Sequence, residues 1–159
     1  MNLWLHLISL SLWIGGIAFF LIAFGPAVRS LPAADGIRLL NRGRQSLQTL
    51  SWIAISLVFI TGVLNLFFRG MASGLDMGPG YTLILSVKLL LFFAMVFHHS
   101  LQTFKYAPKI IAGTSQIGGD IQSWPEPLLV DWGRWFMLLK INAALGAVVL
   151  LLGLGLSGR

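Results

Sequence analysis

The side chains best suited to chemistry in this chain are a few histidines and cations that stand inside long apolar stretches. They are His6, Lys88, His98, His99, Arg134 and Lys140. Imidazole is a common axial ligand of haem iron, and ionisable side chains within membrane segments are costly enough to be functional candidates by default. The sequence contains no cysteine, which excludes disulfides, thiolate metal sites and thiol nucleophiles.

Acidic residues are absent from the same apolar stretches. They occupy loops or helix ends, at Asp35, Asp76, Asp120, Glu126 and Asp131. Lys88 and Lys140 therefore extend toward the membrane interface or lose their charge, or they pair with an anion from outside the chain, such as a haem propionate or a lipid phosphate. The absence also argues against a carboxylate proton relay and against an acid-lined cation pathway.

Four apolar segments are long enough to carry these side chains across a bilayer, since a spanning helix needs about 20 mostly apolar residues. The segments cover about residues 3–24, 47–68, 81–104 and 132–156. The chain is 57% hydrophobic and only 10% charged, which is not the composition of a soluble protein. We expect an all-α integral membrane protein in which residues 1–159 form one domain, a four-transmembrane-helix up-down bundle.

Positive charge is concentrated in the predicted loop between the first two helices, and the positive-inside rule places such a loop in the cytoplasm. This loop contains Arg29, Arg38, Arg42 and Arg44 against the single acid Asp35. Both termini then lie on the outer (periplasmic) side of the cytoplasmic (inner) membrane of a prokaryote. We interpret the first segment as a retained span rather than a cleaved signal. The net charge of +6 then reflects orientation in the membrane and not nucleic-acid binding.

His6 and Lys88 are expected at similar depth near the outer face. His6 lies about one turn into the first helix, and Lys88 lies about two turns into the third helix, which runs in the same direction. On the second helix, Thr61 and Asn65 reach the same depth. They are candidates to hydrogen-bond a ligand or a group that orients it.

Helical spacing places His6, Trp13 and Ile17 on one stripe of the first helix. A ring ligated by His6 would pack against Trp13. Gly15 and Gly16 would let a partner helix or a macrocycle approach closely, as small residues do at membrane helix interfaces.

Two adjacent histidines lie near the cytoplasmic end of the third helix. His98 and His99 are ~25 Å from its outer end, too far to share a metal with His6. Lys88 and His99 fall on one stripe, whereas His98 points about 100° away. We expect His99 to face inward as a candidate ligand of a second cofactor, with His98 as the alternative. The competing interpretation is an interfacial histidine that is hydrogen-bonded to a loop.

Several segments together resemble the membrane domain of the copper resistance protein D family, over nearly the whole chain. They are Trp4-Leu5-His6, Trp13-Ile14-Gly15-Gly16, Thr61-Gly62-Val63-Leu64-Asn65 and Val87-Lys88-Leu89-Leu90-Leu91. Part of the pattern is also similar to the related HemJ-type protoporphyrinogen oxidases. That resemblance implies bound haem b with a functional pair formed by His6 and Lys88, and it matches His98 to a histidine that follows the lysine.

The first functional hypothesis is a haem-b-binding membrane redox protein, with His6 as axial ligand and Lys88 as second ligand or propionate partner. Its partners would be a quinone, an electron-transfer protein or a second copy of the chain, and porphyrinogen oxidation is the candidate enzymatic reaction. A second hypothesis is copper binding or transport, because Met71 and Met77 with Asp76 offer ligands that suit cuprous ion. A third is a structural subunit of a respiratory membrane complex.

Overall fold

A computed structural model describes residues 2–73, 78–118, 121 and 123–157. Within these residues the chain forms four helical spans that are long and apolar enough to cross a membrane. The predicted all-α class is confirmed, as is the prediction of four helices that are long and apolar enough to span a membrane.

The spans are longer than the apolar segments that predict them. The first comprises α1 (Asn2–Phe19), a π-helical turn (Phe20–Phe24) and α2 (Gly25–Val28). The second is α3 (Ala33–Ser73). The third comprises α4 (Pro79–Leu101), a π-helical turn (Gln102–Tyr106) and α5 (Ala107–Ser115), and the fourth is α6 (Glu126–Ser157).

The predicted first loop is largely helical, because α3 begins at Ala33 rather than near residue 47. Much of this stretch consists of alanine, leucine, arginine and glutamine, which favour helices, and hydropathy alone does not register its polar members. Asp35 lies in the first turn of α3, where a carboxylate stabilises the positive end of the helix dipole.

The first helix continues past Pro26, although a proline inside a helix usually ends or kinks it. The helix continues to Val28 because the π-helical turn before the proline widens the backbone, and the Gly25 N–H donates to the Phe20 carbonyl. Pro108 follows the second π-helical turn in the same way. Proline has no backbone N–H to donate. At the first positions of a new helical segment that N–H would have had no helical acceptor, so the proline costs no helical hydrogen bond.

The spans associate as two helical hairpins. The first hairpin packs α1 against α3, the second packs α4 against α6, and α1 also touches α6. By contrast, α3 and α4 make almost no close backbone contact, although they follow each other in the chain. Large side chains bridge this cleft, including the pair Phe59 and Phe92 and the pair Trp52 and His99.

The two hairpins bury their residues in matching register. In the first span the buried positions include Trp13, Ile17, Phe20, Gly25 and Val28, and the third span buries Met95, His99, Gln102, Ala107 and Ile110 at the same spacings. The π-helical turns also coincide in this register. The structure is therefore an internal repeat of two helix pairs with the same direction, as in parallel-repeat membrane proteins.

Candidate functional site

The His6 imidazole is held by a hydrogen bond from α1 to α3. Its Nδ1 lies 2.9 Å from Thr61 Oγ1, and the Thr61 hydroxyl donates to the Leu57 carbonyl at 2.5 Å. A hydroxyl has one proton, so Thr61 accepts from His6, and Nδ1 is the protonated ring nitrogen. The Nε2 lone pair is then the free ligand position of the ring. Thr61 is only 2% exposed, which keeps water from competing for this bond.

Gly62 lets the imidazole lie directly on the α3 backbone. A Cβ atom at Gly62 would be 3.4 Å from His6 Cε1 and 3.9 Å from His6 Nδ1. A methyl group there would just touch the ring, and a side chain larger than alanine would push the ring away from Thr61. The Thr61-Gly62 pair therefore supplies both the acceptor and the space that orient the histidine.

Lys88 occupies the corresponding position in the second hairpin. A Cβ atom at Gly153 of α6 would be 3.6 Å from Lys88 Nζ, so the ammonium lies against a glycine as His6 does. Lys88 is also close enough to His6 for the two groups to interact electrostatically. The sequence predicts similar depths for His6 and Lys88, and this interaction places the two groups near the same end of the bundle.

No carboxylate in the described ranges neutralises this pair. The ion pair that these ranges contain joins Arg38 to Asp35, 4.0 Å apart on the exposed surface of α3. Asp76 and Asp120 lie outside the described residues. The site therefore combines a lone-pair donor and a cation without an anion from the described part of the protein.

Aromatic rings form a layer next to the pair, deeper in the bundle. Trp13 meets Phe92 edge to face at 6.3 Å between ring centroids, and Phe92 stacks on Phe59 at 6.4 Å. Trp13 is buried as its stripe predicts, and its Nε1 has no hydrogen-bond partner among the residues described. Asn65 is partly buried one turn beyond Thr61. This combination suits a flat, largely apolar ligand that carries negative charge.

Gly16 does not lie in this site. A Cβ atom there would be 3.3 Å from Leu47 Cδ1 and 3.4 Å from Leu50 Cδ2, so Gly16 serves the packing of α1 on α3. It is also about 15 Å along the helix from His6. Gly15 is exposed, and nothing lies within 4 Å of its Cβ position.

His99 faces inward and His98 is only partly buried, as the helical spacing predicts. His99 is 5% exposed, packs against Trp52 with 5.0 Å between ring centroids, and has an Nε2 without a described partner. It lies about 16 Å further along the helix than Lys88. The described residues contain no group of three His, Cys, Asp or Glu that could hold a metal ion. A second cofactor at His99 or His98 remains a prediction.

The remaining sequence candidates lie at the surface or outside the described residues. Arg134 and Lys140 are exposed. Met71 is 69% exposed, and its proposed copper-binding companions Asp76 and Met77 are not described. The copper hypothesis stays a prediction.

Sequence reasoning did not single out Arg44, Gln102 or Asn142, which are buried polar residues. Arg44 is 1% exposed, Gln102 donates from Nε2 to the Trp135 carbonyl, and Asn142 donates from Nδ2 to the Met95 carbonyl. The signal for Arg44 was its helical spacing from Leu40 and Leu47, which is visible only when the helix is extended back through the polar segment.

No protein-family model matches the chain, and neither a curated protein sequence nor a solved structure is significantly similar to it. The family resemblance read from the sequence therefore stays a prediction.

Proposed function

We propose that this protein is a haem-b-binding membrane redox protein whose cofactor lies between the two hairpins, with His6 as axial ligand. The observation that carries the proposal is the hydrogen bond from His6 Nδ1 to Thr61, which leaves Nε2 with its lone pair. Histidines that ligate metals usually donate their other ring nitrogen in this way.

The charge of the site supports the same assignment. Lys88 has no carboxylate partner in the described part of the chain, and haem propionates would provide the missing negative charge. Lys88 would bind a propionate or serve as the second axial ligand, and Trp13 with Phe92 would pack against the macrocycle. When bound, the haem would supply one-electron chemistry, while the protein holds, orients and shields it.

The resemblance to the copper resistance protein D family and to HemJ-type oxidases belongs to this proposal. It would make a porphyrinogen or a quinone the electron donor, or an electron-transfer protein the partner. The charge of the segment between the first two spans would orient the chain with both termini outside the inner membrane of a prokaryote.

The visible spectrum of the detergent-purified protein tests the proposal. We expect a Soret band that is lost in His6→Ala and retained in Leu12→Ala, a control that shortens an exposed side chain of the same helix. We also expect Lys88→Met to shift the spectrum or the reduction potential, while Lys140→Met, which removes an exposed lysine, changes neither. A colourless protein that takes up no added haem would exclude the proposal, and a Soret band that survives in His6→Ala would exclude His6 as the ligand.

A further inference from the structure

Arg44 is a buried cation for which the described chain provides no counter-ion. Its Nε donates to Asn41 Oδ1 at 3.0 Å, its Nη1 donates to Gln48 Oε1 at 2.7 Å, and its Nη2 has no described partner. The two amide oxygens satisfy hydrogen bonds but leave the positive charge in place. A buried charge without an opposite charge is strongly unfavourable. The charge of Arg44 could therefore be neutralised by one bound anion.

A cavity of ≈ 270 Å³ adjoins Arg44, between α3 and the end of the third span. Gln48, Trp52, Thr103 and Pro108 also line it. Thr103 Oγ1 is buried without a described hydrogen-bond partner, so a second donor beside the cavity is unused. Sites for small molecules usually occupy ~300–1,000 Å³. The space therefore suits a single headgroup and is too small for a macrocycle.

The cavity lies at the opposite end of the bundle from His6, at the level where the apolar part of α3 begins. Arg44 precedes the apolar segment that starts near Leu47, and this end also carries Arg38 and Arg42. The exposed side chains of Phe104 and Ile111 lie on the neighbouring third span, and Ile111 lines the cavity itself. A ligand with a charged head and an apolar tail matches this surface.

We propose that this cavity binds a phosphate group through the Arg44 guanidinium and the Thr103 hydroxyl, and that the group is the headgroup of an anionic phospholipid. Guanidinium binds phosphate through two parallel hydrogen bonds. Basic pockets between membrane helices at the cytoplasmic face are typical sites for anionic headgroups. The inference does not depend on the haem proposal, because it concerns other residues at the other end of the bundle.

Thermal unfolding of the full chain in a neutral detergent tests this site. The protein is titrated with short-chain phosphatidylglycerol, with short-chain phosphatidylcholine and with inorganic phosphate. A ligand that binds only the folded state raises the unfolding midpoint, and above its Kd the rise grows with the logarithm of the ligand concentration. We expect such a concentration-dependent rise with phosphatidylglycerol and none with phosphatidylcholine. An equal rise with inorganic phosphate would identify free phosphate as the occupant, whereas equal effects of the two lipids, or no rise with any ligand, would overturn the proposal.

Variants assign the effect to the cavity. Arg44→Met should weaken phosphatidylglycerol binding about tenfold or more, because it removes charged hydrogen bonds, while Arg42→Met removes an exposed arginine two positions away and should bind as the wild type does. Without ligand, Arg44→Met should unfold no earlier than the wild type, since apolar replacement of a buried charge is often neutral or stabilising. If Arg44→Met does not fold, the test rests on Thr103→Val, which should also bind phosphatidylglycerol more weakly. An unchanged affinity for phosphatidylglycerol in Thr103→Val, or in a folded Arg44→Met, would contradict the site.

Discussion

The Thr61 hydroxyl controls the chemistry of His6 although it would not touch a ligand itself. Its proton is committed to the Leu57 carbonyl, so it is an acceptor toward the imidazole. A ring that donates from Nδ1 presents Nε2 for coordination and is held in one orientation. Without this acceptor, the histidine would be free to exchange tautomers and to rotate.

Thr61→Val should therefore weaken haem binding without removing the ligand. Valine has nearly the same shape as threonine but offers no acceptor, and loss of such an orienting partner typically costs 10- to 100-fold in metal affinity. Titration of haem into haem-depleted protein measures the effect, and Thr61→Ser, which keeps the hydroxyl, should bind nearly as well as the wild type. Equal affinities of Thr61→Val and wild type would show that the hydrogen bond has no part in haem binding.

The similar depth of His6 and Thr61 could be predicted from the sequence. Both residues lie inside clearly apolar helices, where a fixed rise per residue sets their depth. The burial of Arg44 could not be predicted, since hydropathy placed it in a loop. Whether a polar segment continues a helix depends on packing against the third span, which a single sequence does not reveal. The passage of the first span through Pro26 was hidden for a similar reason, because a π-helical turn depends on its surroundings.

Some glycines of this bundle determine how closely the helices approach each other, and others do not. Gly146 of α6 lies where three spans meet, and a Cβ atom there would be 2.9 Å from Ile14 Cγ1 and 3.4 Å from Met95 Cε. Ile14 belongs to the first hairpin and Met95 to the second. Gly146 therefore sets how closely the two hairpins approach each other.

Gly146→Ala should destabilise the protein by ~1–3 kcal/mol, which is the usual cost of adding a methyl group to a filled interior. Gly15→Ala is the matched control, because its Cβ position is open and alanine favours a helix by up to about 1 kcal/mol over glycine. Unfolding in mixed micelles, followed by circular dichroism, measures both free energies. A Gly146→Ala protein as stable as Gly15→Ala would mean that the helices repack around the methyl group at no cost.

The repeat explains why the candidate site lies between the hairpins rather than inside one of them. Each half presents one side chain of the candidate site against a glycine, His6 on Gly62 and Lys88 on Gly153. Since α3 and α4 stay apart, the two groups meet across a cleft that neither half could form alone. The halves differ at these positions, because one supplies an imidazole and the other an ammonium group.

The repeat also predicts the arrangement of the whole chain in the membrane. Halves with the same direction place the connection around Ser30 and the connection around Ser123 on one side, and the connection around Gly78 on the other. The excess of arginine near Ser30 predicts that the first side is cytoplasmic. Because the chain has no cysteine, the variants Ser30→Cys, Ser123→Cys and Gly78→Cys each carry a single thiol in an otherwise unreactive protein. In intact cells, a membrane-impermeant maleimide should label only Gly78→Cys, and all three should react after the membrane is opened, with the parent chain as the unlabelled control. Labelling of Ser30→Cys but not Ser123→Cys in intact cells, or the reverse, would contradict the parallel repeat, whereas labelling of both without Gly78→Cys would keep the repeat and invert the orientation.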